Sequence, residues 1–217
     1  MTVDLRVVED PARAAGELLA GVTGGHVALS GGGTAGGAYA ATARLQPRWR
    51  GVHVWFGDDR AVPPHDERSN YRLVRETLLD ALGSPPEVHR IRGERPAEDA
   101  AALYDAELEG ITLDLALNGI GADGHTASLF PGAPGLRETE RRAIAAEAGL
   151  EPFVPRVTLT PPVFAACRVL VYLATGEEKA DAVRRAFAEE PSARTPASLV
   201  RGRETVALLD AAAASAL

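Results

Sequence analysis

Residues 26–45 read HVALSGGGTAGGAYAATARL. The apolar run at 26–30 breaks at Gly31, Gly32 and Gly33, and from Thr34 onward the apolar residues recur at helical spacing. This is the pattern of a strand, a tight turn and a helix. Glycines let the backbone turn sharply and approach a ligand closely, and the free N–H groups at a helix start favour an anion. The stretch is therefore read either as a phosphate cradle or as a plain turn joining strand to helix. It is not a Walker loop, because no Gly-Lys-Ser/Thr follows, and a G-x-G-x-x-G spacing is found only by permissive reading.

Outward from this stretch the same alternation recurs. The pattern predicts strands near 26–30, 52–57, 88–91, 113–119, 157–160, 169–175 and 205–209, with helices near 10–22, 34–45, 69–82, 97–109, 177–189 and 210–216. Strands alternating with helices imply crossover connections. The expected fold is thus α/β, a single domain over residues 1–217, with a doubly wound, mostly parallel sheet and helices on both faces. Ligands bind such sheets outside the carboxyl ends of the strands. Prolines mark loops at 61–64, 131–134 and 152–155, and 132–156 is expected to be an irregular, mobile loop over the site.

With 217 residues, 46% hydrophobic and 24% charged, the chain has the composition of a folded globular protein. Its apolar runs are too short for a membrane span, and the start MTVDLRVVEDPARAAG lacks the pattern of a secretory signal, so a cytoplasmic location is expected. The single Cys167 reads as a small buried residue. A net charge of −7 argues against a general nucleic-acid binder but leaves room for small anions, which need only a local positive field. Among 23 basic residues Lys179 is the one lysine.

Two further stretches carry chemistry. In VHVWFGDDRAVPPHDERSNYRLVRETLL (52–79) a strand ends at Gly57 and delivers Asp58, Asp59 and Arg60 to a loop, after which Ser69 or Asn70 caps a helix. These charges suit sugar hydroxyls and a phosphate, or form a solvated ion pair worth little. In LDLALNGIGADGHTASLFPG (113–132) a buried-type strand opens at Gly119 and Gly121 and presents Asp123-Gly124-His125 at its end. An imidazole there can take a proton from water at neutral pH, with a carboxylate fixing its tautomer; it serves equally as a loop residue capping a helix. Zinc is disfavoured at this turn, because no second His or Cys lies at ligand spacing. His26, His53 and His89 read as packed or edge residues, and His65 as exposed.

Taken in order, LSGGGTAGGAY, WFGDDRAVPPHDERSNYRLVRETLL, LDLALNGIGADGHTASLFPG, PRVTLTPPVFAACRVLVYLATGEEKADAV and, more faintly, TPASLVRGRETVALLDAAAA resemble the 6-phosphogluconolactonase family. The likeness runs from about residue 26 to residue 214. Glucosamine-6-phosphate deaminases of the wider superfamily share the glycine loop and the Gly-x-Asp-Gly-His turn. Their Met-Asp-Glu-Tyr and Ala-Phe-Asn-Glu-Pro segments differ from the residues at 56–60 and 127–131 here. Three positions depart from the lactonase pattern: Gly33 stands for the usual Ser, Ala35 for Pro and Asp59 for Glu.

The resemblance implies hydrolysis of a sugar-phosphate lactone without cofactor or metal, by a monomer or weak homodimer. It implies His125 as general base oriented by Asp123, and phosphate on the amides of Gly31, Gly32 and Gly33. Thr34, Arg60, Lys179 and Arg156 are the implied further donors, and Asp58 the residue for sugar hydroxyls. A deaminase or a non-catalytic sugar-phosphate sensor is the alternative.

Overall fold

Seven strands form one all-parallel sheet in the computed structural model, which describes residues 3–149, 151 and 153–217. From edge to edge they run β1 (Asp4–Val7), β10 (Glu204–Leu209), β9 (Val169–Ala174), β6 (Leu115–Gly119), β2 (Gly25–Leu29), β3 (Val52–Phe56) and β5 (Glu87–Val88). After β2 the chain first moves outward through β3 and β5, then returns to β6 on the other side of β2. The sheet is therefore doubly wound, and its direction switches between β2 and β6. A crevice opens where neighbouring strands send their connections to opposite sides, which is where such folds bind ligands.

The helices are α1 (Pro11–Ala20), α2 (Gly33–Leu45), α3 (Asn70–Thr77), α4 (Ala97–Glu107), α5 (Pro161–Ala166), α6 (Ala180–Phe187) and α7 (Pro196–Leu199). Asp10 caps α1 by accepting from the Arg13 N–H at 2.9 Å. Helices α1 and α2 approach so closely that a methyl group on Gly16 would lie 2.6 Å from the Ala41 methyl. Trp49, Trp55, Tyr39, Tyr104 and Phe164 are fully buried within one continuous apolar core. None of the described helices is long and apolar enough to cross a membrane.

A second, antiparallel sheet of three strands departs from the sequence reading: β4 (Asp58–Arg60), β8 (Arg156–Leu159) and β7 (Ala143–Ala146), in the order β4-β8-β7. The strand expected at 157–160 belongs here and not to the parallel sheet. The supposed loop after Gly57 is β4, because Asp58, Asp59 and Arg60 find ladder partners in Thr158, Val157 and Arg156. Likewise 132–156 is not irregular throughout; it holds a 3-10 turn at Pro134–Arg137 and the strand β7. Within the expected 152–155 loop, Pro152 lies outside the described residues. The helix expected at 210–216 is a run of turns, anchored by Asp210 accepting from the Ala213 N–H at 2.7 Å. An alanine-rich segment this short gains too little to nucleate a helix unaided.

Candidate active site

Strand β2 and helix α2 are joined by Ser30 to Gly32, and the geometry of this turn is fixed from behind. The Tyr39 hydroxyl, fully buried on α2, donates to the Ser30 carbonyl at 2.6 Å and accepts from the Ser30 N–H at 2.9 Å. Gly32 has φ +104°, a conformation side chains rarely adopt, and it precedes α2 without any side-chain cap. The first N–H groups of α2 are thus left to the cavity. Gly31 is constrained differently: a methyl there would fall 2.0 Å from Asn70 Oδ1. A methyl on Gly33 would meet nothing within 4 Å.

That cavity, about 320 Å³, sits at the switch between β2 and β6. Gly31, Gly32, Gly33, Thr34, Asp58, Arg60, His125, Arg156 and Lys179 all line it, so the residues singled out from separate stretches converge on one place. Asp123 does not line it but stands behind His125. Ser30, Asn70, Thr175 and Glu178 also face the cavity. Thr34 and Thr175 share a hydroxyl hydrogen bond of 2.9 Å across it.

On one wall two arginines lie side by side, since Arg60 on β4 and Arg156 on β8 are register partners. Placing like charges opposite each other costs energy unless an anion offsets them. Burial, and next the neighbouring Arg60, hold the Arg156 guanidinium below its ordinary value, against the pull of Asp58 and Asp59. Arg60 donates to the Arg68 carbonyl at 2.9 Å and to Asn70 Oδ1. Asn70 therefore touches both the Gly31 turn and the Arg60 guanidinium, and it sets one against the other. Its amide also donates to the Asp58 carbonyl and carboxylate at 2.8 and 3.1 Å.

Asp58 is buried, and Ser128 donates to its Oδ2 at 2.6 Å. A carboxylate has about four lone-pair sites, so these two partners leave room for a ligand hydroxyl. Asp59 faces away from the cavity and caps α3. It accepts from the N–H groups of Arg60, Asn70 and Tyr71 at 2.8, 2.6 and 3.1 Å, and from the Ser69 hydroxyl at 3.1 Å.

Burial pushes the Asp59 carboxyl up to about 6, opposed by those backbone donors. Its folded-state value lies above the unfolded one, so between about 4 and about 6 the native state binds more protons. Relative to Asp59→Asn, wild-type stability is expected to fall as pH rises through that window and to stay level above it. Urea unfolding of both proteins across the window checks this, and a pH-independent difference contradicts it.

At the end of β6, Gly121 allows the turn, because a methyl there would lie 2.0 Å from His125 Nδ1. Gly124 takes φ +92°. The imidazole Nδ1 meets Asp123 Oδ1 at 2.6 Å, which leaves Nε2 as the ring nitrogen for the cavity. Burial works against a charged Asp123, but hydrogen bonds from the His125 ring and backbone N–H outweigh it and hold the carboxyl below its ordinary value. Arg185 on α6 braces the turn from outside, donating to the carbonyls of Ala122 and Asp123 at 3.1 and 3.3 Å. Ala127, at φ +49°, is the one non-glycine residue with positive φ among those described, and it too lines the cavity.

Lys179 arrives from the β9 side, at the end of a 3-10 turn (Glu177–Lys179). Asp210 accepts from the Gly176 N–H and so fixes the start of that turn. Cys167 plays no part here; it is buried and its thiol is pushed up to about 12, chiefly by burial.

Fold and site together define a doubly wound α/β protein with an uncapped glycine turn and a carboxylate-backed histidine in one crevice. A family model for glucosamine-6-phosphate isomerases/6-phosphogluconolactonase matches residues 4–208, and the chain belongs to that family. The 6-phosphogluconolactonase of Streptomyces coelicolor is 37% identical over 212 residues, covering 88% of this chain and 81% of the relative. The Rattus norvegicus 6-phosphogluconolactonase is 43% identical over 195 residues, covering 82% and 73%. Among solved structures, 6-phosphogluconolactonase from Trypanosoma cruzi superposes with a TM-score of 0.86 at 25% identity, covering 100% of this chain and 98% of that one.

Proposed function

We propose that this chain hydrolyses 6-phospho-D-glucono-1,5-lactone to 6-phospho-D-gluconate, a step of the oxidative pentose phosphate pathway, with His125 activating the attacking water. The observation that carries this reading is the pairing of His125 with Asp123 on the same cavity as the glycine turn and two arginines. The curated relatives and their names support the same reaction.

In the proposed mechanism the phosphate lies on the amides of Gly31, Gly32 and Gly33, with Thr34, Arg60, Arg156 and Lys179 as donors. Asp58 binds sugar hydroxyls, which places the C1 carbonyl near His125. His125 Nε2 takes a proton as the water oxygen bonds to C1, giving a tetrahedral oxyanion that backbone N–H groups or an arginine stabilise. On collapse the C1–O5 bond breaks and the imidazolium returns its proton to the departing ring oxygen. Asp123 keeps the ring oriented and stabilises its charged form. A lactone is already an activated ester, so hydrolysis is expected to persist in chelator.

Gly33 stands where the family usually has serine, and the turn has space for that side chain. Gly33→Ser is expected to lower KM for the phosphorylated lactone roughly threefold to tenfold, the worth of one ordinary added hydrogen bond, with kcat little changed. Steady-state kinetics on the two proteins checks it. The function itself is tested by offering one preparation both the lactone and glucosamine 6-phosphate. Lactone hydrolysis without ammonia release supports the proposal; ammonia release identifies a deaminase, and tight binding without turnover a sensor.

A further inference from the structure

The geometry points to a divalent transition-metal site formed by His53, Glu87 and His89, on the parallel sheet and apart from the proposed catalytic cavity. Strand pairing assembles it. His53 on β3 is the register partner of Glu87 on β5, and His89 follows two residues later on the same face, its N–H bonded to the Val54 carbonyl at 2.8 Å. Side chains at register-paired positions stand side by side, so three residues far apart in sequence present their heads to one point.

The donor atoms converge as metal ligands do. His53 Nδ1 and His89 Nε2 are 3.1 Å apart, Glu87 Oε2 is 3.5 Å from the first and Glu87 Oε1 is 3.6 Å from the second. With metal–nitrogen and metal–oxygen bonds of about 2.0–2.2 Å, the edges of a tetrahedral site are roughly 3.3–3.5 Å. The two Glu87 distances are to different carboxylate oxygens; with one ligand atom taken from each residue, all three lie within 4.8 Å of one another, a spread that side-chain rotation closes onto an ion. Two imidazoles and one carboxylate form a donor set suited to zinc, with a fourth position open to water.

The rings are held in place before any ion arrives. The Trp55 ring stacks on His89 with centroids 3.9 Å apart and planes within 5°, and His26 stacks on His53 at 4.7 Å. Trp55 Nε1 donates to His26 Nδ1 at 3.0 Å, which locks the stack together. Nearby cations are already paired, Arg90 with Glu94 at 2.7 Å and Arg92 with Glu107 at 3.1 Å. None of His53, Glu87 and His89 lines the proposed catalytic cavity, so the site does not share the proposed chemistry. A bound ion would clip β5, an edge strand of two residues, onto β3.

Zinc is the probe. The full chain is stripped with chelator, dialysed and titrated with zinc chloride by calorimetry, alongside Glu87→Gln, His53→Gln and His125→Ala. One equivalent is expected to bind, at least about tenfold more weakly in Glu87→Gln and His53→Gln, and unchanged in His125→Ala. At a hundredfold excess over Kd the melting temperature should rise by roughly 5–10 °C in wild type and much less in the two site variants. Lactone hydrolysis by those variants should stay at the wild-type rate. Glu87 is mostly exposed, so Glu87→Gln tests the site without disturbing the core. Absence of saturable binding, or binding undiminished in both site variants, overturns the proposal.

Discussion

His125→Ala is expected to lose about 10²–10⁴-fold in kcat while binding 6-phosphogluconate as well as wild type does. The expectation follows from where the side chain stands. One ring nitrogen is held 2.6 Å from Asp123, and the other is left to the cavity. Removing the ring deletes the proton acceptor but leaves the glycine turn, the arginines and Asn70 untouched. Asp123→Asn should move turnover in the same direction, because an amide no longer stabilises an imidazolium or selects its tautomer. Kinetics on fresh lactone, combined with calorimetry on the product, separates the two effects. A His125→Ala protein with near-normal turnover means that another group is the base.

The second large effect concerns the phosphate. Removing it from the substrate, by offering plain glucono-δ-lactone, is expected to lower kcat/KM by about 10³-fold or more. Remote binding energy fixes the carbonyl against the base as well as raising affinity. Arg156→Met should cost on the order of 10²-fold in kcat/KM with the phosphorylated lactone, as lost charge-assisted hydrogen bonds do. With the plain lactone it should cost little. That crossed comparison assigns the arginine to the phosphate; an equal loss with both substrates means that Arg156 supports the carbonyl or the fold instead.

Much of this site was readable because its parts are contiguous. Strand, glycine turn and helix follow one another at 26–45, and Asp123 and His125 belong to one short turn. What escaped the sequence depends on chain returning from elsewhere. Asp58, Asp59 and Arg60 look like a charged loop, and they become a strand only by pairing with β8. That pairing also sets Arg60 beside Arg156. Of the two residues read as possible caps, Ser69 is the N-cap of α3 and accepts from the Arg72 N–H, with Asp59 taking the Asn70 and Tyr71 N–H groups, while the Asn70 side chain bridges Gly31 and Arg60. Ser128 and Arg185 gave no signal, because their partners lie 70 and 62 residues away.

The edges are legible only in part: the strand expected near 88–91 is β5, which spans Glu87–Val88, whereas β1 has no counterpart in the sequence reading. Strand β1 alternates polar and apolar residues, but over only the four residues Asp4-Leu5-Arg6-Val7, and β5 is too short to show a period. Taken one at a time, His26, His53 and His89 read as packed or edge residues. Their convergence with Glu87 and Trp55 follows from the register of β2, β3 and β5, which no local pattern specifies.

The most direct test of the account is the rate at which the wild-type chain releases 6-phosphogluconate from freshly generated 6-phosphogluconolactone, in chelator, above spontaneous hydrolysis. A rate far above that background is expected. A rate equal to background, from folded protein that still binds 6-phosphogluconate, would contradict it.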